Sequence, residues 1–563
     1  MGPHKILLDC GLSDISPLID PSQALWPVDL VLCSHAHWEN SQGLMAFNQA
    51  CPQVPIYASE VTTRLLGIHW PELKHIDRPP LCQSLPWQAP VELGSGLIVE
   101  LWPAGHLPGA ASFLLTYTTD QQTYTIFYTG DFLLSNSRLV EGFPLNQLRK
   151  RINQLHKRRP DVLITEASYG TARHLHRRHQ ENRVAEQIHQ AIANQHSILL
   201  PTSALGLAQE LLMLLRSHHH FTGRNLDIWV DDTIAAGCDA YLELLPYFPH
   251  NIQNFARHQS IFWDQRIRPR VRRLTTAPGA SAPDANSMPC IVLADETSDL
   301  GRYCQPDQCH WHILLPQQPS TVELDPECQL LRCQPELTAQ CFKTALATQQ
   351  LTLDTYLLAE HCDGLGTTQL IHNLRPQHVL LIHGSLTYLS DLAGLKELQN
   401  RYHLHLPTPG VMTNLPLVEM SPLASTAENN YEGDLTDLDG LITVTLPNAI
   451  KIDPRWSAFS DTGLIEARWQ GNELVLRSMS QRELLNRSHQ PFVDPDIACC
   501  YNCQYYRKQH CWHPASSLFG FKASPDGYCL SFTPISAEPD DQDADSSGLE
   551  DEDIDGEAAD EST

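Results

Sequence analysis

Two histidines one residue apart, His35 and His37, leave the end of the apolar run Asp29–Cys33. In an extended turn, side chains at i and i+2 point to the same side, so both imidazoles can converge on one ion. A third histidine, His106, sits in Gly105-His106-Leu107-Pro108-Gly109 after a second apolar run. Asp131 closes Tyr128-Thr129-Gly130-Asp131 after a third. Each alone reads as an ordinary hydrogen-bonded loop residue. Jointly, three imidazoles and a carboxylate from separate strand ends are what zinc needs to activate water: nitrogen and oxygen ligands, with one position open.

Such side chains need rigid strand ends to hold them. Residues 6–9 and 29–33 read as short buried strands, the first ending in Asp9. Further strands are predicted at 97–102, 111–117, 123–128 and 161–165, separated by turn signals such as Pro108-Gly109. Residues 182–195 and 204–217 read as amphipathic helices, the latter opened by Pro201-Thr202-Ser203. Strands and helices alternate to about residue 385, an α/β pattern. At 563 residues the chain is too long for one core and predicts three or more domains.

In chain order, Asp9, His35-Ala36-His37-Trp38-Glu39-Asn40, Gly105-His106 and Gly130-Asp131 resemble the metallo-β-lactamase superfamily. Ile164-Thr165-Glu166-Ala167-Ser168-Tyr169-Gly170, with Arg173-His174 after it, resembles the first motif of that superfamily's β-CASP group. The run from Pro201 to Leu211 resembles the group's inserted domain, and Glu360-His361-Cys362-Asp363 its second histidine motif. Val379 to Ser385, around His383, resembles its third. The resemblance covers about residues 5–415. It implies an αββα metallo-β-lactamase sandwich, residues 1–170 and 356–418, split by a β-CASP α/β domain at 171–355, with the active site in the cleft between them. The implied activity is that of a ribonuclease cleaving RNA phosphodiester bonds with a zinc-activated water, DNA being the lesser alternative. By position, His35, His37 and His106 would hold one zinc, and Asp131 would bridge to a second. Residues 39, 40 and 383 would complete that second site, with Glu39 and His383 as its remaining strong ligands. His361 would stand near the scissile phosphate, and Glu166 would orient the histidines from behind. Glu39, Asp131, His361 and Glu166 are thus the implied catalytic residues.

The chain departs from the group at two places. Where the metal motif ends in Asp-His, this sequence has Glu39-Asn40. Glutamate lengthens the carboxylate by a methylene, and asparagine replaces an imidazole with a neutral amide oxygen, a ligand of harder cations. One firmly bound zinc is expected, with a second weak or absent. Leu293-Ala294-Asp295-Glu296-Thr297 stands where the group has a glycine-containing turn. Three functions compete: a metal-dependent ribonuclease, a catalytically silent β-CASP-like scaffold that binds RNA or a partner, and a hydrolase of small esters or thioesters. The inserted domain argues against the third, because a small substrate needs no long covered groove. His106, Asp131, His361 and His383 argue for the first, because a chain released from catalysis has no chemical reason to keep all four. Two edge strands normally precede the strand that ends at Asp9, and their absence predicts a true start upstream of Met1.

Beyond the resemblance, residues 419–436 read as a polar linker and 437–485 as a small β-rich unit. Residues 495–535 read as a Cys-rich module in which Cys500, Cys503, Cys511 and Cys529 have C-x2-C-x7-C-x17-C spacing. That spacing predicts a structural zinc or iron–sulfur cluster stapling a segment too short for a core of its own. Tyr501, Tyr505, Tyr506 and Trp512, with Arg507 and Lys508, read first as its little core and second as stacking faces for single-stranded bases. Residues 536–563 read as an acidic, disordered tail, with a decoy or partner-binding role as the lesser alternative. From Glu538 to Thr563 there are 13 acidic residues and no Lys or Arg, so 14 of the 27 net negative charges remain on the body. That balance excludes a protein that coats nucleic acid by charge alone. It leaves room for a local basic groove at Arg149–Arg151, Lys157–Arg159, Arg173–Arg178 or Arg266–Arg273, stretches that read equally as solvated helix faces. There is no apolar run of ~20 residues and no secretory signal. Twelve of the 17 cysteines are scattered without regular pairing before residue 363. A cytoplasmic protein with no membrane partner is expected, with a protein partner or a second copy engaged through the C-terminal region.

Overall fold

A computed structural model of the chain describes residues 1–19, 27–70, 80–120, 122–155, 159–274, 289–304, 309–319, 325–333 and 340–417. Beyond them it describes 434–438, 441–445, 465–470, 473–478, 500, 503–507, 510–514, 516 and 533. The chain divides into two units, Met1–Val418 and Glu419–Thr563.

In the first unit, β1 (Ile6–Leu8), β2 (Leu30–Leu32), β3 (Ile56–Ala58) and β4 (Gln83–Ser84) form a parallel four-stranded sheet in that order. Alternation along β2 shows why it is central. Leu30 and Leu32 point to one face and join Leu97, Val99, Phe113 and Leu115 in one buried cluster, while Val31 and Cys33 point to the other and join Leu44, Phe47 and Leu65. A strand covered on both faces reads as an unbroken apolar run.

The partners of Leu30 and Leu32 come from the second sheet. It begins with β5 (Val91–Gly94), β6 (Leu97–Pro103), β7 (Ala111–Thr118), β8 (Thr123–Tyr128) and β9 (Val162–Glu166). The chain then leaves for a third sheet: β10 (Ser197–Thr202), β11 (Asp227–Val230), β12 (Arg270–Arg273), β13 (Ile291–Asp295), β14 (Trp311–Pro316) and β15 (Leu351–Tyr356). It returns as β16 (His378–Ile382) and β17 (His403–His405), completing the seven-stranded order β17-β16-β9-β8-β7-β6-β5. Two sheets face each other with helices outside, as an αββα sandwich requires. The third sheet, β12-β11-β13-β10-β14-β15, is parallel throughout. Both of its faces are buried: Ile198 and Leu200 join one cluster, and Leu199 between them joins another.

The predicted elements recur with shifted ends. The helix expected at 182–195 spans Arg177–Ala193, and the one expected from 204 spans Leu207–Ser217. Pro201 and Thr202 do not open that second helix. They end β10, in register with Ala294 and Asp295 of β13, and the chain turns at Gly206 with φ of 87°. The positive φ favours glycine, and a Cβ there would push on Glu360 Oε1 at 2.6 Å. The missing glycine turn after β13 is replaced by carboxylate chemistry, since Asp295 Oδ1 accepts the Thr297 N–H at 3.0 Å and closes an Asx turn.

The second unit contains two antiparallel hairpins, Asp434–Leu438 with Leu441–Thr445 and Ile465–Gln470 with Glu473–Ser478. The first of these strands begins inside the span expected as linker, whose residues 419–433 lie outside the described ones. A short pair, Tyr506–Arg507 with His510–Cys511, follows. The acidic tail lies outside the described residues.

Candidate metal centre

Each of the three clustered histidines has one ring nitrogen tied outward. His35 Nδ1 lies 2.9 Å from Ser34 Oγ, and that hydroxyl donates to Asp9 Oδ2 at 2.7 Å. With its single proton committed to Asp9, Ser34 accepts from His35 Nδ1–H, which leaves Nε2 as the lone pair. His37 Nε2 donates to the Leu205 carbonyl at 3.2 Å, and His106 Nδ1 donates to the Glu360 carbonyl at 2.8 Å. The lone pairs therefore sit on His35 Nε2, His37 Nδ1 and His106 Nε2.

These rings surround a common point. Their centroids are 4.8–4.9 Å apart in every pairing, with interplanar angles of 77–83°. His37 Nδ1 and His106 Nε2 approach to 3.0 Å. His35 Nε2 is buried without a hydrogen-bond partner among the described residues. Two unprotonated lone pairs at that separation repel unless a cation lies between them. Tetrahedral nitrogen ligands at ~2.0–2.1 Å from zinc would stand about 3.3 Å apart, so the donor set fits such an ion.

Asp131 connects this trio to a second group of side chains. Its Oδ2 is 3.4 Å from His35 Nε2 and its Oδ1 is 2.9 Å from His383 Nδ1. The carboxylate comes off β8 through Gly130, where a Cβ would strike Ser34 Cβ at 2.8 Å. His383 follows β16 in the left-handed region, φ 53°, a conformation costly for a non-glycine residue and typical of strained functional turns. His361 Nδ1 lies 2.8 Å from Glu166 Oε2. Glu166 is itself fixed at the end of β9, accepting the Phe132 N–H at 2.6 Å and the Ser168 hydroxyl. One ligand atom from each of His106, Asp131 and His361 falls within 4.8 Å of the others.

The electrostatics suit a cation. Burial drives His35 down to about 3 and holds His106 well below the usual imidazole range, so both rings are neutral. Burial opposes the charge on Asp131, but the hydrogen bond from His383 outweighs it and holds the carboxyl well below its ordinary range. His361 and His383 go the other way. Burial would lower them, yet Glu166 pushes His361 up to about 10 and Asp131 pushes His383 up to about 9.

His35, His37, His106, Asp131, His361, His383 and Glu166 are thus brought together. Glu39 is different. Its Oε1 is 3.8 Å from His37 Nδ1, and its side chain is 69% exposed, at the mouth rather than the floor. Asn40 is buried, with Nδ2 3.4 Å from Asp9 Oδ2 and Oδ1 unpartnered among the described residues. Cys500, Cys503 and Cys511 are all buried, and Cys503 N–H donates to the Cys500 carbonyl at 3.0 Å. Cys529 lies outside the described residues.

Sequence reasoning did not find the outward anchors. Asp9, φ 58°, also accepts the Ser34 N–H at 2.6 Å and the Tyr128 hydroxyl at 2.5 Å. Its place at a strand end and at the head of the motif order marked it, but neither signal gave its role as an anchor. The Leu205 and Glu360 carbonyls carry none, because every residue has one. Trp38, 48% exposed beside His37, was also passed over; it packs at 5.2 Å on His69, whose Nε2 is 2.6 Å from the Ala36 carbonyl.

Comparison with known proteins agrees with this geometry. Residues 4–200 match the model of the beta-lactamase superfamily domain. The chain is 41% identical over 551 residues to the uncharacterized protein sll0514 of Synechocystis sp., covering 95% of this chain and 94% of that one. It is 30% identical over 234 residues to the probable RNase MJ4 of Methanocaldococcus jannaschii, covering 38% of this chain and 52% of the relative. Against the Integrator complex subunit 11 homolog of Dictyostelium discoideum the identity is 22% over 461 residues, 75% of this chain and 60% of that protein. With its motifs in order on two facing sheets and an inserted parallel sheet, the chain belongs to the metallo-β-lactamase superfamily, in its β-CASP group.

Proposed function

We propose that this chain is a metal-dependent hydrolase that cleaves RNA phosphodiester bonds. One observation carries the reading: three imidazole lone pairs converge beside a buried anionic carboxylate, Asp131, which also reaches His383. The similarity to a probable RNase and to an Integrator complex subunit favours RNA over a small ester. A bound zinc would supply a water of lowered pKa and a Lewis-acid clamp on the phosphate. His361, paired through Nδ1 with Glu166, keeps Nε2 for the departing oxygen, to which it can pass a proton. Trp38 offers an exposed indole face at the mouth, suited to stacking an unpaired base. Of the basic stretches, Arg151, Arg270 and Arg273 already pair with Glu100, Asp227 and Asp239. Arg173, exposed just after the Glu166 motif, is the better phosphate contact.

We assign the firm zinc to His35, His37 and His106, and a weak second position to Asp131, His383 and Glu39, because the exposed Glu39 must move inward to join it. Residues 1–170 with 356–418 form the hydrolase domain and 171–355 the insert. Cys500, Cys503, Cys511 and Cys529 would hold a structural zinc or iron–sulfur cluster in a module that engages a partner or a second copy. The cytoplasm is proposed on the cysteines of the described residues, which form no disulfide with one another; no helix among these residues is long and apolar enough to cross a membrane. The test is zinc analysis of the purified protein with single-stranded RNA cleavage. Asp131→Ala should abolish cleavage, and a protein with an empty core site and no cleavage would instead be a silent scaffold.

A further inference from the structure

A second histidine cluster has no part in the centre described above. His218, His219 and His220 follow directly on helix Leu207–Ser217, and the His218 N–H caps it by donating to the Leu214 carbonyl. The last carbonyls of a helix carry partial negative charge and favour a cation. One ligand atom from each imidazole lies within 4.8 Å of the others, and the ring centroids are 4.2–4.8 Å apart.

A second helix, Arg177–Ala193, brings more donors to the same place. Glu186 and His189 stand one turn apart on one face of it. Glu186 Oε2 is 2.9 Å from His220 Nε2, and the His189 ring stacks on His220 at 4.6 Å and 14°. Four imidazoles and a carboxylate therefore meet where two helices of the insert come together. Glu186 Oε1 accepts from Gln190 Nε2 at 2.9 Å, which leaves Oε2 toward His220, while the contacts that compete for the nitrogens of His218 and His189 are long and weak. His218 Nδ1 is 3.3 Å from the His220 N–H, His218 Nε2 is 3.4 Å from Asn182 Oδ1, and His189 Nδ1 is 3.4 Å from the Arg224 guanidinium. A small turn of either ring frees a nitrogen.

We propose that His218, His219, His220 and Glu186, with His189 behind them, form a metal site for zinc or another late first-row divalent cation, the ions that imidazole and carboxylate ligands select. The site is separate from the catalytic one. Helix Leu207–Ser217 runs between them, 11 residues and so about 16 Å long. Its far end adjoins Leu205, whose carbonyl anchors His37. An ion here would tie the two helices together at the end opposite the catalytic centre.

The test uses the full chain and zinc alone. Equilibrium dialysis at buffered low-micromolar free zinc should give one more ion per chain for the native protein than for the double variant His219→Ala/His220→Ala. Glu186→Gln, a change at a side chain 48% exposed, should weaken the extra site about tenfold or more while the fold is kept. Zinc should also raise the Tm of the native protein beyond that of the double variant, because a ligand that binds only the folded state stabilises it. Should the double variant fail to fold, the Glu186→Gln affinity decides alone. Equal stoichiometry, or uptake only at millimolar zinc as an adventitious ion only, overturns the proposal.

Discussion

Ser34→Ala isolates the relay that runs from Asp9 through Ser34 to His35. The hydroxyl accepts from His35 Nδ1–H at 2.9 Å and donates to Asp9 Oδ2 at 2.7 Å, and all three residues are buried. Without it His35 can turn, and its other tautomer, with the proton on Nε2 facing the ion, becomes accessible. Loss of such an outer partner lowers metal affinity by about 10–100-fold, which is ~1.4–2.8 kcal/mol at 25 °C. Folding should suffer less than a naive count of two lost bonds suggests. Asp9 keeps the Ser34 N–H at 2.6 Å and the Tyr128 hydroxyl at 2.5 Å, so the orphaned group is chiefly His35 Nδ1. That is a destabilisation of about 1–3 kcal/mol. The assay is competition for zinc against a chromogenic chelator, paired with thermal melting of the metal-free protein. Thr125→Val is the control, a buried hydroxyl bonded to Asp161 at 3.1 Å and remote from the histidines in the hydrogen-bond network. If Ser34→Ala binds zinc within twofold of the native protein while His37→Ala does not bind it, the relay is not what fixes the His35 tautomer.

Four further outcomes follow from the same geometry. Glu166→Gln should lower RNA cleavage by about 10²–10⁴-fold, the range of general acid catalysis, with zinc affinity nearly unchanged, because Glu166 bonds His361 rather than the trio. Asn40→His should raise zinc stoichiometry toward a second ion and increase cleavage, but with about 1–3 kcal/mol of destabilisation read from the Tm, since Asn40 is buried and a larger ring overpacks its site. Glu210→Ala should both destabilise the protein by roughly 1–3 kcal/mol, as the buried Leu139 amide is orphaned and the part-buried Arg138 amide loses its partner, and weaken zinc. The Glu210 carboxylate accepts the Arg138 and Leu139 N–H groups at 2.9 Å each, at the start of the helix that positions Leu205. Trp38→Ala should weaken binding of a single-stranded oligonucleotide by ~1–3 kcal/mol in a filter or fluorescence assay, and Trp38→Phe should restore most of it.

The strands were legible because sheets buried on both faces demand unbroken apolar runs, as in Leu30-Val31-Leu32 and Phe113-Leu114-Leu115. The polar residues that interrupt or end such runs, His35, His37, Asp131 and His383, were legible for the same reason, since nothing in packing calls for them there. Helix starts were less so. Pro201-Thr202-Ser203 looks like a helix opening, but parallel pairing of Pro201 with Ala294 extends β10 through it, a contact between residues 93 apart that local pattern does not contain. Glu39 and Asn40 were legible as departures, but not their placement. Nothing in the spacing says that the glutamate stands outward or that the asparagine donates to Asp9.

What the sequence hid entirely was the dependence of the metal trio on the insert. His37 is oriented by the carbonyl of Leu205, which belongs to the turn after β10, and His106 by the carbonyl of Glu360, which belongs to the return segment. The Leu205 anchor is absent until the third sheet has folded against the sandwich. Arg177 strengthens this coupling, since its guanidinium bonds the Ala359 carbonyl and lies 3.3 Å from Glu210, while the neighbouring Glu210 oxygens hold the Arg138 and Leu139 amides of the sandwich. The insert therefore does more than cover a groove. It fixes the tautomer of His37 through the Leu205 carbonyl, so separating it from the sandwich would weaken the centre even with every ligand still present in the chain.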